Sequence, residues 1–132
     1  AGPGRAAVLE AAEPAPWGVV ALVVAGQLFA ASLMFVMARL GARGKLKRNP
    51  FFGIRTKRSL ADDESWDTVH RVAAPWVFLA GVPEFLGAVA LPFTPRDSGT
   101  AFLVVVLLSA ALMILFLIIG TVLGTGAAGR AR

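Results

Sequence analysis

Two runs of this sequence, Trp17 to Ala38 and Ala101 to Leu123, contain almost nothing that water would solvate. The first has only Gln27 and Ser32 as clearly polar residues, and the second only Ser109 and Thr121. Each exceeds the roughly 20 residues that a helix needs to cross a hydrocarbon layer. Neither shows the single apolar stripe of a helix lying on a soluble core. A third run, Val72 to Leu91, is also long enough, although Pro75, Pro83 and Glu84 interrupt it. A water-soluble fold would need an amphipathic helix to cover these surfaces, and the chain supplies none. The expected fold is an all-α membrane protein of one domain with three transmembrane helices. Its segments are a tail at 1–16, spans at 17–38, 72–91 and 101–124, loops at 39–71 and 92–100, and a second tail at 125–132. The first span is expected to stay in the mature protein, because a signal peptide has a shorter apolar region behind a basic flank, whereas Glu10 and Glu13 precede this one.

The net charge of +5 matters less than where it lies. Nine of the 13 Lys and Arg residues fall in the first loop: Arg39, Arg43, Lys45, Lys47, Arg48, Arg55, Lys57, Arg58 and Arg71. Arg130 and Arg132 lie in the C-terminal tail on the same side, against only Arg5 and Arg96 on the other. The positive-inside rule then puts the loop and the C-terminus in the cytoplasm and the N-terminus outside, as expected of a multi-pass protein of a bacterial cytoplasmic membrane. These charges read as topology determinants that touch membrane lipids, so no nucleic-acid partner is expected.

The loop carries the polar chemistry. After the basic connector GARGKLKRNP, Asn49-Pro50 and Gly53 favour a turn that dips Phe51 and Phe52 into the interface. Ser59 and Asp62 have the spacing of a capping box, with acidic residues in the first turn that follows. A short interfacial helix is therefore expected from about Leu60 to Ala73, bending into the second span at Pro75. On it Trp66 and His70 are four residues apart, as are Asp63 and Asp67.

Asn49, Gly53-Ile54-Arg55-Thr56, Leu60, Trp66, His70 and Gly81 resemble the cytoplasmic-loop pattern of the SdpI family of bacterial integral membrane proteins. The resemblance implies immunity to a secreted toxic peptide, coupled in the best-known member to holding a transcriptional repressor at the membrane. Together with the acidic residues Asp63 and Asp67 of the expected helix, the matching positions Asn49, Gly53, Arg55, Thr56, Trp66 and His70 make up the candidate binding or structural motif. Two readings of that set stand. In one, Arg55, a carboxylate and His70 line a pocket for a peptide terminus or a lipid headgroup. In the preferred one the same residues staple the loop, with Arg55 paired to Asp63 or Asp67, Trp66 anchored in the interface and His70 hydrogen-bonded to the turn.

Asp63, Asp67 and His70 share a helical face, but with one histidine and no cysteine neither a metal site nor a cofactor is expected. Ser59 and Ser65 lack a nucleophile turn, so no catalytic residue is assigned and the chain is not expected to be an enzyme. Inside the spans, Gln27, Glu84 and Ser109 fall at a similar depth, ~12 to 15 Å from the outer ends of their helices at ~1.5 Å per residue. An intramembrane layer in which Glu84 hydrogen-bonds Gln27 and Ser109 is expected, as helix glue in preference to a proton site. Gly120 and Gly124 form a G-x-x-x-G, a possible close-packing face. The function expected is non-catalytic binding of a toxic peptide or a cytoplasmic regulator. The alternative is an accessory subunit of a larger membrane complex, such as a respiratory-chain assembly.

Overall fold

The computed structural model describes residues 15–97 and 99–130. The expected N-terminal tail, apart from Ala15 and Pro16, lies outside them, as do Arg5 and Arg132. Three helices long and apolar enough to span a membrane account for most of the described residues: α1 (Trp17–Ala42), α2 (Asp63–Ala90) and α3 (Gly99–Arg130). No strand occurs among the described residues. The chain is thus an all-α membrane protein.

Helix α1 ends where the sequence supplies a glycine that can turn left-handed. Gly44 has φ +65°, its N–H donates to the Gly41 carbonyl, and the Lys45 N–H reaches back to the Leu40 carbonyl at 2.8 Å. That pair of bonds satisfies carbonyls the helix would otherwise strand and turns the chain out of the span. Helix α2 starts one residue past Asp62, whose carboxylate accepts the Ser65 N–H at 2.7 Å, and Asp63 and Glu64 occupy its positive end.

No separate interfacial helix is present; the expected one is the first turns of α2. The helix runs unbroken through Pro75 and Pro83. Each proline removes one backbone hydrogen bond, but packing of Val69, Ala73, Val77, Ala80 and Ala88, all buried, against its neighbours holds the helix on both sides of them. At ~1.5 Å per residue α2 is ~42 Å long and α3 ~48 Å, against a hydrocarbon core of ~30 Å. Both helices therefore project beyond the bilayer on the loop side. The expected tail from 125 is helical to Arg130.

Helix α2 is the middle helix and packs against both others. Small residues set the distance of approach. A Cβ on Gly41 would lie 2.8 Å from the His70 carbonyl oxygen, and one on Gly124 2.6 Å from that of Val69. Gly120 meets Trp76 and Ala73 in the same way, so the G-x-x-x-G of α3 is spent on packing within the chain. The other face of α3, with Leu103, Leu107, Ile114, Ile118 and Val122 exposed, is left to lipid.

Candidate functional site

The loop between α1 and α2 is a folded cap seated on the projecting ends of α2 and α3. Asn49 organises its first turn: the side-chain oxygen accepts the N–H groups of Phe51 and Phe52, and the amide donates to the carbonyls of Lys47 and Phe52. A side chain that bonds its own local backbone in this way fixes a turn without help from secondary structure. Gly53 follows with φ +129°, and a Cβ there would lie 2.8 Å from His70 Nε2 and from the Trp66 ring. Only glycine combines that backbone with that approach.

His70 and Trp66 are the posts on which the turn rests. His70 Nδ1 lies 2.7 Å from the Trp66 carbonyl oxygen, and Nε2 accepts the Ile54 N–H at 2.7 Å. The ring is therefore neutral with its proton on Nδ1. Trp66 is 1% exposed, its ring packs tilted against that of His70 with centroids 4.3 Å apart, and its indole N–H donates to the Leu46 carbonyl at 2.8 Å. Leu46 and Ile54 are buried against Met37, Ala38, Val69, Ala73 and Ala128, so one apolar cluster joins the cap to all three helices. Ser59 accepts the Thr56 N–H and donates to the Ile54 carbonyl, and Thr56 Oγ1 meets Thr125 Oγ1 of α3 at 3.4 Å.

Several expectations change here. Arg55 pairs with neither Asp63 nor Asp67; its guanidinium donates to the Asn49 carbonyl. The ion pair to Asp63 comes from Arg48, at 3.2 Å, and Arg48 also donates to the Leu60 carbonyl. The loop's return path brings Arg48 to the start of α2, a proximity that sequence spacing does not encode. Trp66 lies inside the cap, where the apolar cluster buries its ring and the Leu46 carbonyl satisfies its N–H. Of the two phenylalanines only Phe51 points outward, at 91% exposure, while Phe52 packs against the apolar cluster. Ser59 ties the Thr56 turn, and Asp62 takes the capping role. Asp67 is half-buried, and among the described residues no group of three His, Cys, Asp or Glu side chains gathers.

The SdpI/YfhL family model matches residues 45–123, more than half of the chain. This chain belongs to the SdpI/YfhL family. The match begins at Lys45, three residues past the end of α1, and takes in the cap, α2 and most of α3. The eight residues of the SdpI-like loop motif thus fall inside it. A search of curated proteins and a search of solved structures each found no match. Within the SdpI/YfhL segment, the side chains of Asn49, Trp66 and His70 all hydrogen-bond to backbone groups of the cap or of α2.

The second candidate set lies inside the bundle. Gln27, Glu84 and Ser109 are each buried, and Gly87, one turn beyond Glu84, leaves room for the other two: its Cβ would meet Ser109 Oγ and Gln27 Nε2. The expected bonds between them are not made. Ser109 donates to the Val105 carbonyl of its own helix, and neither polar atom of the Gln27 side chain has a partner. An unpaired buried amide is a cost, not a glue. Gln27→Met is therefore expected to leave stability unchanged or raise it by up to about 1 kcal/mol. Thermal melting in detergent checks this, and a clear loss would give the amide a partner.

Proposed function

We propose that this SdpI/YfhL member is a non-catalytic protein that acts by binding, with the cap as its docking surface on the cytoplasmic face of a bacterial membrane. The N-terminus is outside and the α3 end is cytoplasmic, in keeping with the concentration of Lys and Arg on the cap side. One observation carries the reading. The cap is a folded structure whose Leu46 and Ile54 point inward onto Trp66, so its outer surface presents Lys47, Lys57 and exposed Phe51 on a fixed frame. A rigid basic surface with one protruding aromatic ring fits an acidic, partly apolar segment of a partner protein, such as a regulator held at the membrane or a toxic peptide.

A mild-detergent pull-down of the tagged protein from its native membrane, compared with Phe51→Ser/Lys57→Glu, tests the proposal. The expected result is one soluble protein or peptide retained by the wild type and lost, at least about tenfold, from the variant, as for an aromatic anchor beside a charge. Co-purification with large membrane subunits in fixed ratio, unaffected by the substitutions, would replace this reading with that of an accessory subunit.

A further inference from the structure

A groove opens between α1 and α2 just where the helices leave the bilayer, on the side away from α3. Its volume is about 540 Å³, and its lining is graded along the membrane normal. Phe35 and Phe78, with ring centroids 5.0 Å apart, form the deep end; Ala38, Ala42, Ala74 and Pro75 form the walls; Arg39 and Arg71 stand at the mouth. The small residues create the gap, since alanine at three wall positions leaves the space that a larger side chain would fill.

Depth fixes what meets these groups. Arg39 lies ~33 Å along α1 from Trp17, and Arg71 ~28 Å along α2 from Ala90, at ~1.5 Å per residue. Both therefore sit at the edge of a ~30 Å hydrocarbon core, level with phosphate groups, while the phenylalanines lie one to two turns deeper among acyl chains. Charge points the same way. Both arginines are exposed and neither joins a salt bridge among the described residues, where Arg48 with Asp63 forms one. Arg71 reaches across to the end of α1, close enough that a Cβ on Gly44 would come within 3.0 Å of its guanidinium nitrogen. Two guanidinium groups, free of carboxylates and converging from two helices, match the oxygens of one phosphodiester. The apolar floor below matches the first part of an acyl chain.

We propose that this groove is a binding site for one anionic phospholipid of the cap-side leaflet, its phosphate held by Arg39 and Arg71 and an acyl chain laid over Phe35 and Phe78. The lipid seals a gap between α1 and α2 that the chain's own side chains leave open. Charge alone does not define the site, because Lys57 and Arg58 lie elsewhere on the cap, in a recess shared with Thr56, Ala61 and Thr125 that contains no aromatic ring.

The protein in mild detergent is titrated with dioleoyl phosphatidylglycerol or dioleoyl phosphatidylcholine, and bound lipid is counted by native mass spectrometry. One phosphatidylglycerol per chain is expected to bind in preference to phosphatidylcholine. Arg39→Gln/Arg71→Gln should weaken it by about tenfold or more, while Lys57→Gln/Arg58→Gln, with the same loss of charge, should not. Ala42→Trp fills the groove at an exposed position, keeps both arginines and should also expel the lipid, which decides the matter if the double variant does not fold. Equal loss in the Lys57/Arg58 control, equal binding of phosphatidylcholine, retention by Ala42→Trp, or equally effective competition by glycerol phosphate would each overturn the proposal.

Discussion

Replacing Trp66 with alanine is expected to destabilise the protein by about 3 to 5 kcal/mol, the range for deleting a fully buried aromatic side chain. It should also release the segment between α1 and α2. The two effects share a cause. The indole fills the centre of the cluster that joins Leu46 and Ile54 to the helices, packs against His70, forms the floor beneath Gly53 and gives the Leu46 carbonyl its hydrogen bond. Trp66→Phe separates these contributions. It keeps most of the apolar contact but strands the Leu46 carbonyl, so a smaller loss of about 1 to 3 kcal/mol is expected. Trypsin provides the local readout, because Lys45, Lys47, Arg48, Arg55, Lys57 and Arg58 all lie in the cap. Cleavage there should accelerate strongly in Trp66→Ala and detectably in Trp66→Phe, before the helices melt. Unchanged cleavage in Trp66→Ala would mean that the cap is held by something other than this ring.

The spans were legible because crossing a hydrocarbon layer requires a length of apolar residues that the sequence displays directly. Their ends were not. Hydropathy falls at Gly124, yet α3 continues to Arg130, and the helix expected from about Leu60 runs without a bend into the second span as one α2 from Asp63, because a helix persists wherever its bonds and packing persist. Thr125, Ala128, Val69 and Trp66 lie on those projecting ends, and all touch or support the cap. The turn at Asn49 and Gly53 was readable because its chemistry is local to a few residues. Partners distant in sequence were not: Arg48 with Asp63, Trp66 with the Leu46 carbonyl and Thr56 with Thr125 exist only because the loop returns over the bundle. The same limit applied to Gln27, whose depth beside Glu84 and Ser109 was a matter of counting but whose missing hydrogen bonds depend on side-chain direction.

Gly124→Ala is the second large expected effect, and it isolates helix approach from helix propensity. An alanine in a helix interior normally gains about 0.5 to 1 kcal/mol over glycine. At Gly124 the new methyl group would stand 2.6 Å from the Val69 carbonyl oxygen and 3.2 Å from its carbon, both backbone atoms of α2 that no rotamer change can move. The helices must separate, which costs about 1 to 3 kcal/mol for an added group in a packed interface. Gly126, two residues on, is the internal control: its Cβ would meet only the Arg130 guanidinium nitrogen, 3.3 Å away at the end of a flexible side chain. Gly126→Ala should thus be neutral or stabilising while Gly124→Ala melts earlier in detergent, and Gly124→Leu should fail to give a folded protein. Because Val69 sits between Trp66 and Ala73 on α2, the Gly124 variant should also loosen the cap and raise its trypsin sensitivity without altering any cap residue. Equal melting of the two alanine variants would show that α3 does not need this approach to hold α2.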